Sequence, residues 1–491
     1  MKSLYVSSNY LVNDSVHGRV LSADQCRQII SSSLEVLERT GVDVLSDKAL
    51  KLFAKSGCWV EGKRVRFPAG LVEWAIGTAP SRVVIADREG DRKLFLEGSN
   101  SYFGPGGTNV YYIDPLSGER RKPLKRDKEI VGRLCDALPN IDFVMELGAA
   151  SDVAATLAGI SGFEALVRNT SKPIVLSNYS IDQCKTVIEM GIEVAGSLER
   201  LQQSPFIVFC CESASPGTHD KESLGKAMWL AEKRLPQVYS PSAVAKETCP
   251  ATMAGVLVEA LSGGFVGLVA AQLVRKGAPF ILGGIKASVD SKNGQPSYGS
   301  AEFNLLQGAM AKLGQHLEIP VFGTAGCSDS KETDGQMAIE AALSIVTTGL
   351  TGANLIHGVG YIEKALTGSL FQLVLCDEVI SYTKRMLRGI EVDDDTLAVE
   401  VINNVGPGGH FLGEMHTVEN FKREFWFPTL MDRTRYDEWK MKGALTMGDR
   451  VRSKTQRLIK EHQPKALNAE VAKKIAKLVI DVKPNEKKKK R

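Results

Sequence analysis

The sequence predicts an α/β fold: an eight-stranded β/α (TIM) barrel with an N-terminal α+β cap and a C-terminal helical extension. Five short apolar segments share one grammar, KPIVLS (172–177), SPFIVFCC (204–211), LPQVYS (235–240), APFILGG (278–284) and IPVFGT (319–324), each entered through a proline. A proline at a strand's first position forfeits no ladder bond, and an unbroken apolar run suits a strand buried on both faces. Helical stretches such as 220–235 and 301–317 lie between them, so strands recur roughly every 30 to 45 residues, the period of β/α units around a parallel sheet. Three further candidates, 102–104, 141–147 and 353–357, bring the set to eight.

Residues 1–98 form the expected cap. Ser22 and Gln25 make a capping box, and Cys26, Ile30, Leu34 and Leu37 recur at helical spacing until Gly41. Leu50, Phe53 and Ala54 mark a second helix ending at Gly57, Val65 and Phe67 a strand, and Pro68 the start of a helix carrying Leu71, Trp74 and Ala75. Residues 82–86 and 94–96 flank a polar turn at Glu89, Gly90 and Asp91. No constellation of reactive side chains occurs in this part.

The barrel spans 99–388. Its first strand leads into GPGGTNVYYIDPLSGERR, a hairpin excursion turning at 115–118; no helix follows its glycines, which argues against a phosphate nest. The window 253–274 carries one charge, Glu259, and has the length of a bilayer span. Gly263, Gly264, Gln272 and the need for a barrel helix there favour a buried helix instead. A long helix over 363–388 is expected to close the ring. Residues 389–491 then form an outer wrap with a basic amphipathic helix near 469–479.

The net charge of +4 is small, and much of the excess sits in the tail 486–491, a solvated run that implies neither a nucleic-acid nor a membrane partner. MKSLYVSSNY lacks the apolar core of a signal peptide, and nine cysteines, none in CxxC spacing, suit a reducing cytoplasm.

In a barrel the C-terminal strand ends converge on one mouth, where chemistry is placed. The strand ends deliver Tyr102, Glu146, Asn178, Glu212, Ser240 with Ser242, Gly283 with Gly284, and His357. The stretch IPVFGTAGCSDSKETDGQ (319–336) adds a polar loop with Cys327, Ser328, Asp329, Ser330 and Lys331 before a helix starting near Thr333. No HxH stands at a strand end and no cysteines pair, so a protein-held metal is not expected; no Ser-His-acid spacing stands out. Plainer readings exist: Glu146 and Glu212 as ion-pair members, Asn178 as a loop former, Cys327 as a small core residue, His357 as a hydrogen-bonded core histidine, Lys331 as a solvated helix-start charge. Carboxylates, an aromatic, an amide and one imidazole suit a small polar ligand. A cation would be held by the Tyr102 ring face and the Glu212 charge.

Four stretches, FGPGGTNVYYIDPLSGERRKPLKRD (103–127), CPATMAGVLVEALSGGFVGLVAAQLVRKGAPFILGG (249–284), the loop GCSDSK (326–331) and GGHFLGEMHTVENFKREFWFPTLMDR (408–433), carry a further signal. On them the sequence resembles the trimethylamine methyltransferase superfamily of corrinoid-dependent enzymes over nearly the whole chain. The resemblance implies the same barrel and a cytoplasmic methyltransferase of one-carbon metabolism. Archetypal members carry pyrrolysine within the loop matching 326–334, where this chain has only ordinary residues. That departure points away from trimethylamine and toward a quaternary amine such as glycine betaine, proline betaine, carnitine or γ-butyrobetaine. Losing a methyl from a quaternary ammonium leaves a neutral tertiary amine, so no general acid or Lewis acid is needed to activate the leaving group.

The corrinoid (cobalamin) is expected on a separate corrinoid protein and not bound directly. The Asp-x-His-x-x-Gly signature is absent; its nearest match, at His410 and Gly413, has Gly408 where the aspartate belongs. On this reading Tyr102 and Glu212 are expected to face the ammonium head, and Asn178 and His357 to bond a substrate carboxylate. The loop from Cys327 to Lys331 would shape the pocket floor, with Lys331 as a second carboxylate partner. Rival readings are direct methyl transfer without a corrinoid, a non-catalytic betaine-binding or scaffold protein, and a metal-dependent barrel hydrolase. Glycine-rich loops and a long apolar helix leave room for homo-oligomer contacts.

Overall fold

The computed structural model describes residues 16–482 apart from Thr108 and Ser291. It has a mixed α/β fold. Strands Ile174–Leu176, Ile207–Ser213, Gln237–Pro241 and Phe280–Leu282 pair in parallel in that order, and Phe322–Thr324, Leu355–Val359 and Tyr102–Pro105 form a second parallel sheet. The two sheets approach each other at both edges. On one side Leu282 bridges Val321. On the other, Val144 bridges Ile174 and the Asp142 amide donates to the Phe103 carbonyl at 2.7 Å.

Residues 141–147, expected as a strand, are reduced to the single bridge at Val144. The Asp142 carboxylate accepts the Phe103 N–H at 2.8 Å, where a ladder would use a carbonyl, and Lys384 holds the same carboxylate at 2.9 Å. A side-chain acceptor thus displaces the ladder pattern. At the far end of the segment Leu147 turns the chain with φ of 49°.

Successive side chains of a strand point to opposite faces. Ile174, Leu176, Ile207, Phe209, Tyr239, Phe280 and Leu282 therefore pack outward in the main core with the helices. Val175, Val208, Cys210, Val238, Ile281 and Leu355 point inward, where they meet Val83, Ile85, Leu94 and Leu96 from the antiparallel hairpin Val83–Ala86 and Arg92–Leu96. That hairpin is the pair of strands expected around the Glu89–Asp91 turn, and it fills the inner space at the strands' N-terminal ends. The rest of the N-terminal part is also joined to later elements. Val42–Val44 pairs in parallel with Thr218–His219, and the capping-box helix Ala23–Arg39 lies on helix Met253–Val274 through Ser33 and Ser262.

Met253–Val274 is long and apolar enough to cross a membrane, yet 72% of its apolar window is buried inside the protein. Its glycines let it approach the strands closely: a Cβ on Gly267 would lie 2.2 Å from the Tyr239 ring.

The helix expected over 363–388 begins only at Leu370 and ends at Leu387. Glu363, Lys364 and Ala365 all have positive φ, and Thr367–Ser369 is a strand between Tyr361–Ile362 and Tyr111–Ile113. The Glu363 carboxylate receives a fork of two hydrogen bonds from Arg120 at 2.7 and 2.9 Å, which ties this turn to the excursion hairpin. A tertiary ion pair has overridden a helical pattern. The excursion forms as expected, with Tyr111–Ile113 against Arg120–Arg121. The C-terminal region carries helices Met447–Glu461 and Ala469–Asp481, the latter covering the expected amphipathic helix.

Candidate functional site

One pleat beyond the apolar inner layer, the alternation turns polar. Ser177 follows Val175 by two residues, Glu212 follows Cys210, Thr324 follows Phe322 and His357 follows Leu355, so all four face the same inner space near the strands' C-terminal ends. They line a cavity of about 370 Å³, counted out to its mouth, together with Gly107, Met145, Phe322, Tyr298 and Tyr361.

The His357 ring is fixed on three sides. It stacks on Phe322 at 4.3 Å and 12°, meets Tyr361 edge-on at 6.4 Å, and lies 2.9 Å through Nδ1 from the Gly323 carbonyl. A carbonyl only accepts, so Nδ1 carries a proton and donates to it. Thr324 Oγ1 stands 3.4 Å from the same nitrogen. Tyr361 lies flat against Gly106, where any Cβ would fall 1.8 Å from the ring. Ser177 Oγ is buried and has no hydrogen-bond partner. A buried hydroxyl left unpaired costs about 1–3 kcal/mol, so this oxygen is poised for a ligand.

Tyr298 reaches the cavity from the excursion after Phe280–Leu282, and the loop after Phe322–Thr324 holds it there. The Asp329 carboxylate accepts from Ser297 Oγ at 2.5 Å, the Tyr298 amide at 3.0 Å and the Gly299 amide at 3.4 Å. Glu340 in turn accepts from Ser328 Oγ and the Asp329 amide, both at 2.7 Å. Burial raises the Tyr298 phenol above its ordinary range, and Cys327, Tyr361 and the negative charges of Glu212 and Asp329 raise it further. It remains a neutral hydroxyl.

Of the residues proposed from sequence, the structure brings Glu212 and His357 together on the cavity wall. Tyr102 is elsewhere. It opens its strand, so its side chain sits at the N-terminal end, packed on the inner apolar cluster, with its hydroxyl accepting the Phe95 amide of the hairpin at 3.1 Å. Asn178 is exposed at φ of 63°, a left-handed turn position that asparagine tolerates. Cys327 is fully buried with its thiol directed at the Gly358 carbonyl, 3.4 Å away, and burial holds it well above the ordinary thiol range. Lys331 is exposed and does not line the cavity. Glu146 faces the helices, not the mouth: Tyr179 Oη lies 2.7 Å from its carboxylate, and the buried Lys128 donates to its backbone carbonyl at 3.1 Å.

Sequence reasoning missed Ser177, Thr324, Tyr298 and Tyr361. The first two were within reach of the two-residue alternation counted from an apolar inner residue. The tyrosines come from excursions, where periodicity gives no guide. Among the described residues, no three His, Cys, Asp or Glu side chains converge as metal ligands do.

Residues 2–486 match the model of the family described as trimethylamine methyltransferase (MTTB). The chain is 29% identical over 454 residues to a glycine betaine methyltransferase of Desulfitobacterium hafniense strain Y51, covering 92% of this chain and 94% of that one. It is 32% identical over 455 residues to a trimethylamine methyltransferase of Desulfitobacterium hafniense strain DSM 10664 / DCB-2, covering 92% and 91%. The crystal structure of the monomethylamine methyltransferase of Methanosarcina barkeri superposes with a TM-score of 0.54 at 10% identity, over 92% of this chain and 90% of that one, a likeness of fold.

Two outcomes are expected from this geometry. Asp329→Ala should raise amide exchange at Tyr298 and Gly299 at least tenfold, read by hydrogen-exchange mass spectrometry; unchanged protection would mean that Asp329 does not hold the excursion. Burial, the largest influence, lifts the Glu146 carboxyl from 4.5 to about 7 against the opposing pull of Lys128 and the Tyr179 hydrogen bond. Its contribution to stability is then full below pH 4.5 and is lost as pH rises through 7. Urea unfolding of Glu146→Gln should therefore gain on the wild type between those two pH values, whereas parallel pH profiles would contradict the assignment.

Proposed function

Because this chain belongs to the trimethylamine methyltransferase family, we propose that it is a corrinoid-dependent methyltransferase acting on a small quaternary amine of the betaine type. In this reading the seven parallel strands and the bridged 141–147 segment act as one eight-stranded barrel. Residues 1–98 then serve as its cap and 389–491 as its wrap.

The observation that carries the proposal is the cavity wall. Tyr298, Tyr361, Phe322 and His357 offer aromatic surface and Glu212 offers a carboxylate. Ring faces and a carboxylate attract a cation, most strongly where water is excluded. A quaternary ammonium has no N–H to donate, and an aromatic wall asks for none. The Ser177 hydroxyl, the Thr324 hydroxyl and the His357 imidazole are the polar groups left for the carboxylate end of a betaine. Asn178 and Lys331, assigned that role from sequence, stand outside the cavity.

The loop at 326–334, where archetypal relatives hold pyrrolysine, does a different task here. It supplies no lining side chain and instead fixes Tyr298 through Asp329. That arrangement supports a substrate already charged over a free methylamine.

The space between the nine lining residues is far too small for a corrin macrocycle. The corrinoid is therefore assigned to a separate protein docking over the strands' C-terminal ends. When bound there, a reduced corrinoid supplies the nucleophile for a methyl carbon. The residues of this chain orient one N–CH₃ bond toward the mouth, exclude water, and leave the bond's electron pair on nitrogen as the neutral tertiary amine departs. No proton need move.

The test is a panel of quaternary amines and trimethylamine, mixed with the protein and Co(I) cobalamin and followed by cobalamin absorbance. A quaternary amine should react, and Glu212→Gln should raise its KM at least tenfold. Reaction of trimethylamine alone would overturn the substrate reading. Binding of betaines with no methyl transfer to cobalamin or to any carrier would favour the binding-protein alternative.

A further inference from the structure

Tyr179 Oη lies 2.7 Å from Glu146 Oε1 and 2.7 Å from the Gly159 carbonyl. Both are the length of a full O–H···O bond, and each such bond needs its own hydrogen. The phenol brings one, the carbonyl brings none, and an ionised carboxylate brings none. The second hydrogen therefore belongs to Glu146. As a carboxylic acid it donates to Tyr179 Oη, and the phenol donates in turn to Gly159.

The surroundings favour the acid form. Glu146 is 7% exposed. Helix Ala155–Asn169 presents Gly162 to it, where a Cβ would fall 1.8 Å from Oε1, and that helix's acid, Glu164, is turned to Lys125 at 2.9 Å and Arg168 at 3.2 Å. From helix Lys125–Ala137 the charged group facing it is Lys128, which donates to the Glu146 carbonyl at 3.1 Å and has Asp127 and Asp152 around it. Cys184 of helix Ile181–Ala195 is the other titratable group beside the phenol, a thiol that burial keeps protonated. Burial outweighs the pull of Lys128 and of the phenol, so the carboxyl titrates at about 7.

The pair stands directly behind the cavity wall. Met145 precedes Glu146, Ser177 lies two residues before Tyr179, and both Met145 and Ser177 line the cavity. A Cβ on Gly107 would meet the two together, 2.7 Å from Ser177 Oγ and 3.2 Å from Met145 Cε. Among the described residues, the last backbone bond between the two segments runs from the Val175 amide to the Val144 carbonyl, at 2.9 Å. Beyond it the chain turns at Asn178, with φ of 63°, and Tyr179 ties it back to Glu146. Tyr179 also packs on Gly159, where a Cβ would fall 2.8 Å from its ring.

We propose that Glu146 is a positioning residue of this site: its carboxylic acid, through Tyr179, fixes the strand end that presents Ser177 to the ligand, and its ionisation releases that end. The inference rests on the cavity being the binding site proposed above. When the acid gives its proton to water, the single phenol hydrogen has two acceptors to serve. Turning to the carboxylate, it abandons Gly159; staying on Gly159, it leaves a buried charge facing oxygen lone pairs. In both cases the Tyr179 anchor weakens as pH rises through neutrality.

Infrared difference spectroscopy and hydrogen exchange on the full chain test this from about pH 5.5 to about pH 8.5, beside Glu146→Gln, whose amide keeps a donor for Tyr179 at every pH. The wild type should show the carbonyl stretch of a protonated acid that fades with rising pH and is missing in the variant. Amide protection of residues 176–180 should fall at least tenfold over that range in the wild type and hold steady in the variant. Lys128 titrates in both proteins, so the contrast belongs to Glu146. Affinity for glycine betaine, read by isothermal titration, should fall at least fivefold over the range in the wild type alone. The lack of an acid band that depends on Glu146, or protection with the same pH course in both proteins, would overturn the proposal. An acid band with no betaine binding at any pH would overturn the reading of the cavity and sustain the proton assignment.

Discussion

The site depends on how the space inside the parallel strands is filled. Protein interiors do not tolerate voids, so the inner faces of the two parallel sheets have to be covered. Here the hairpin Val83–Ala86 and Arg92–Leu96 enters from the N-terminal ends and packs against Val175, Val208, Val238, Ile281 and Leu355. The next inward position on four strands is then polar. The cavity floor is thus set by apolar packing two residues below it, and Glu212 sits just above a dry layer. Low local dielectric makes that carboxylate attract a cation more strongly than it would at the surface.

The walls and the rim are built differently. Strand residues place Glu212, Thr324 and His357 through register alone, with Glu212 opposite Ser240 and Thr324 opposite His357. Rim residues arrive on excursions that need tertiary clamps. Asp329 and Glu340 hold Tyr298, while the small sheet of Tyr111–Ile113, Tyr361–Ile362 and Thr367–Ser369 presses Tyr361 onto Gly106. Cys327 and its loop contribute structure to this clamp, not a reactive group. A loop that looks catalytic by composition proves to be a brace for an aromatic residue that no local pattern singles out.

The same division separates the features legible in the sequence from those that are not. Proline-led apolar runs identify the parallel strands because local chemistry and burial on both faces agree there. Glu212 and His357 reach the cavity wall because each follows a short apolar run. Tyr102 belongs at the other end because it begins its strand, and the two-residue alternation, applied from that end, puts it beside the hairpin. Residues 141–147 look like a strand in composition, yet the Asp142 carboxylate takes the amide hydrogen a ladder needs. The helix expected from Glu363 is cut short by the Arg120 contact, which links residues 243 positions apart. Tyr298 depends on Asp329, 31 residues away. Pairings of this range leave no periodic trace, so they are visible only once the chain is folded.

Selection of a permanent positive charge by the aromatic wall and Glu212 is tested most directly by isothermal titration. A trimethylammonium carboxylate and its tert-butyl isostere, identical in shape but with carbon in place of nitrogen, separate charge from fit. The ammonium compound should bind at least tenfold more tightly, a preference that disappears in Glu212→Gln. Equal affinity for the two compounds in the wild type would contradict selection by charge.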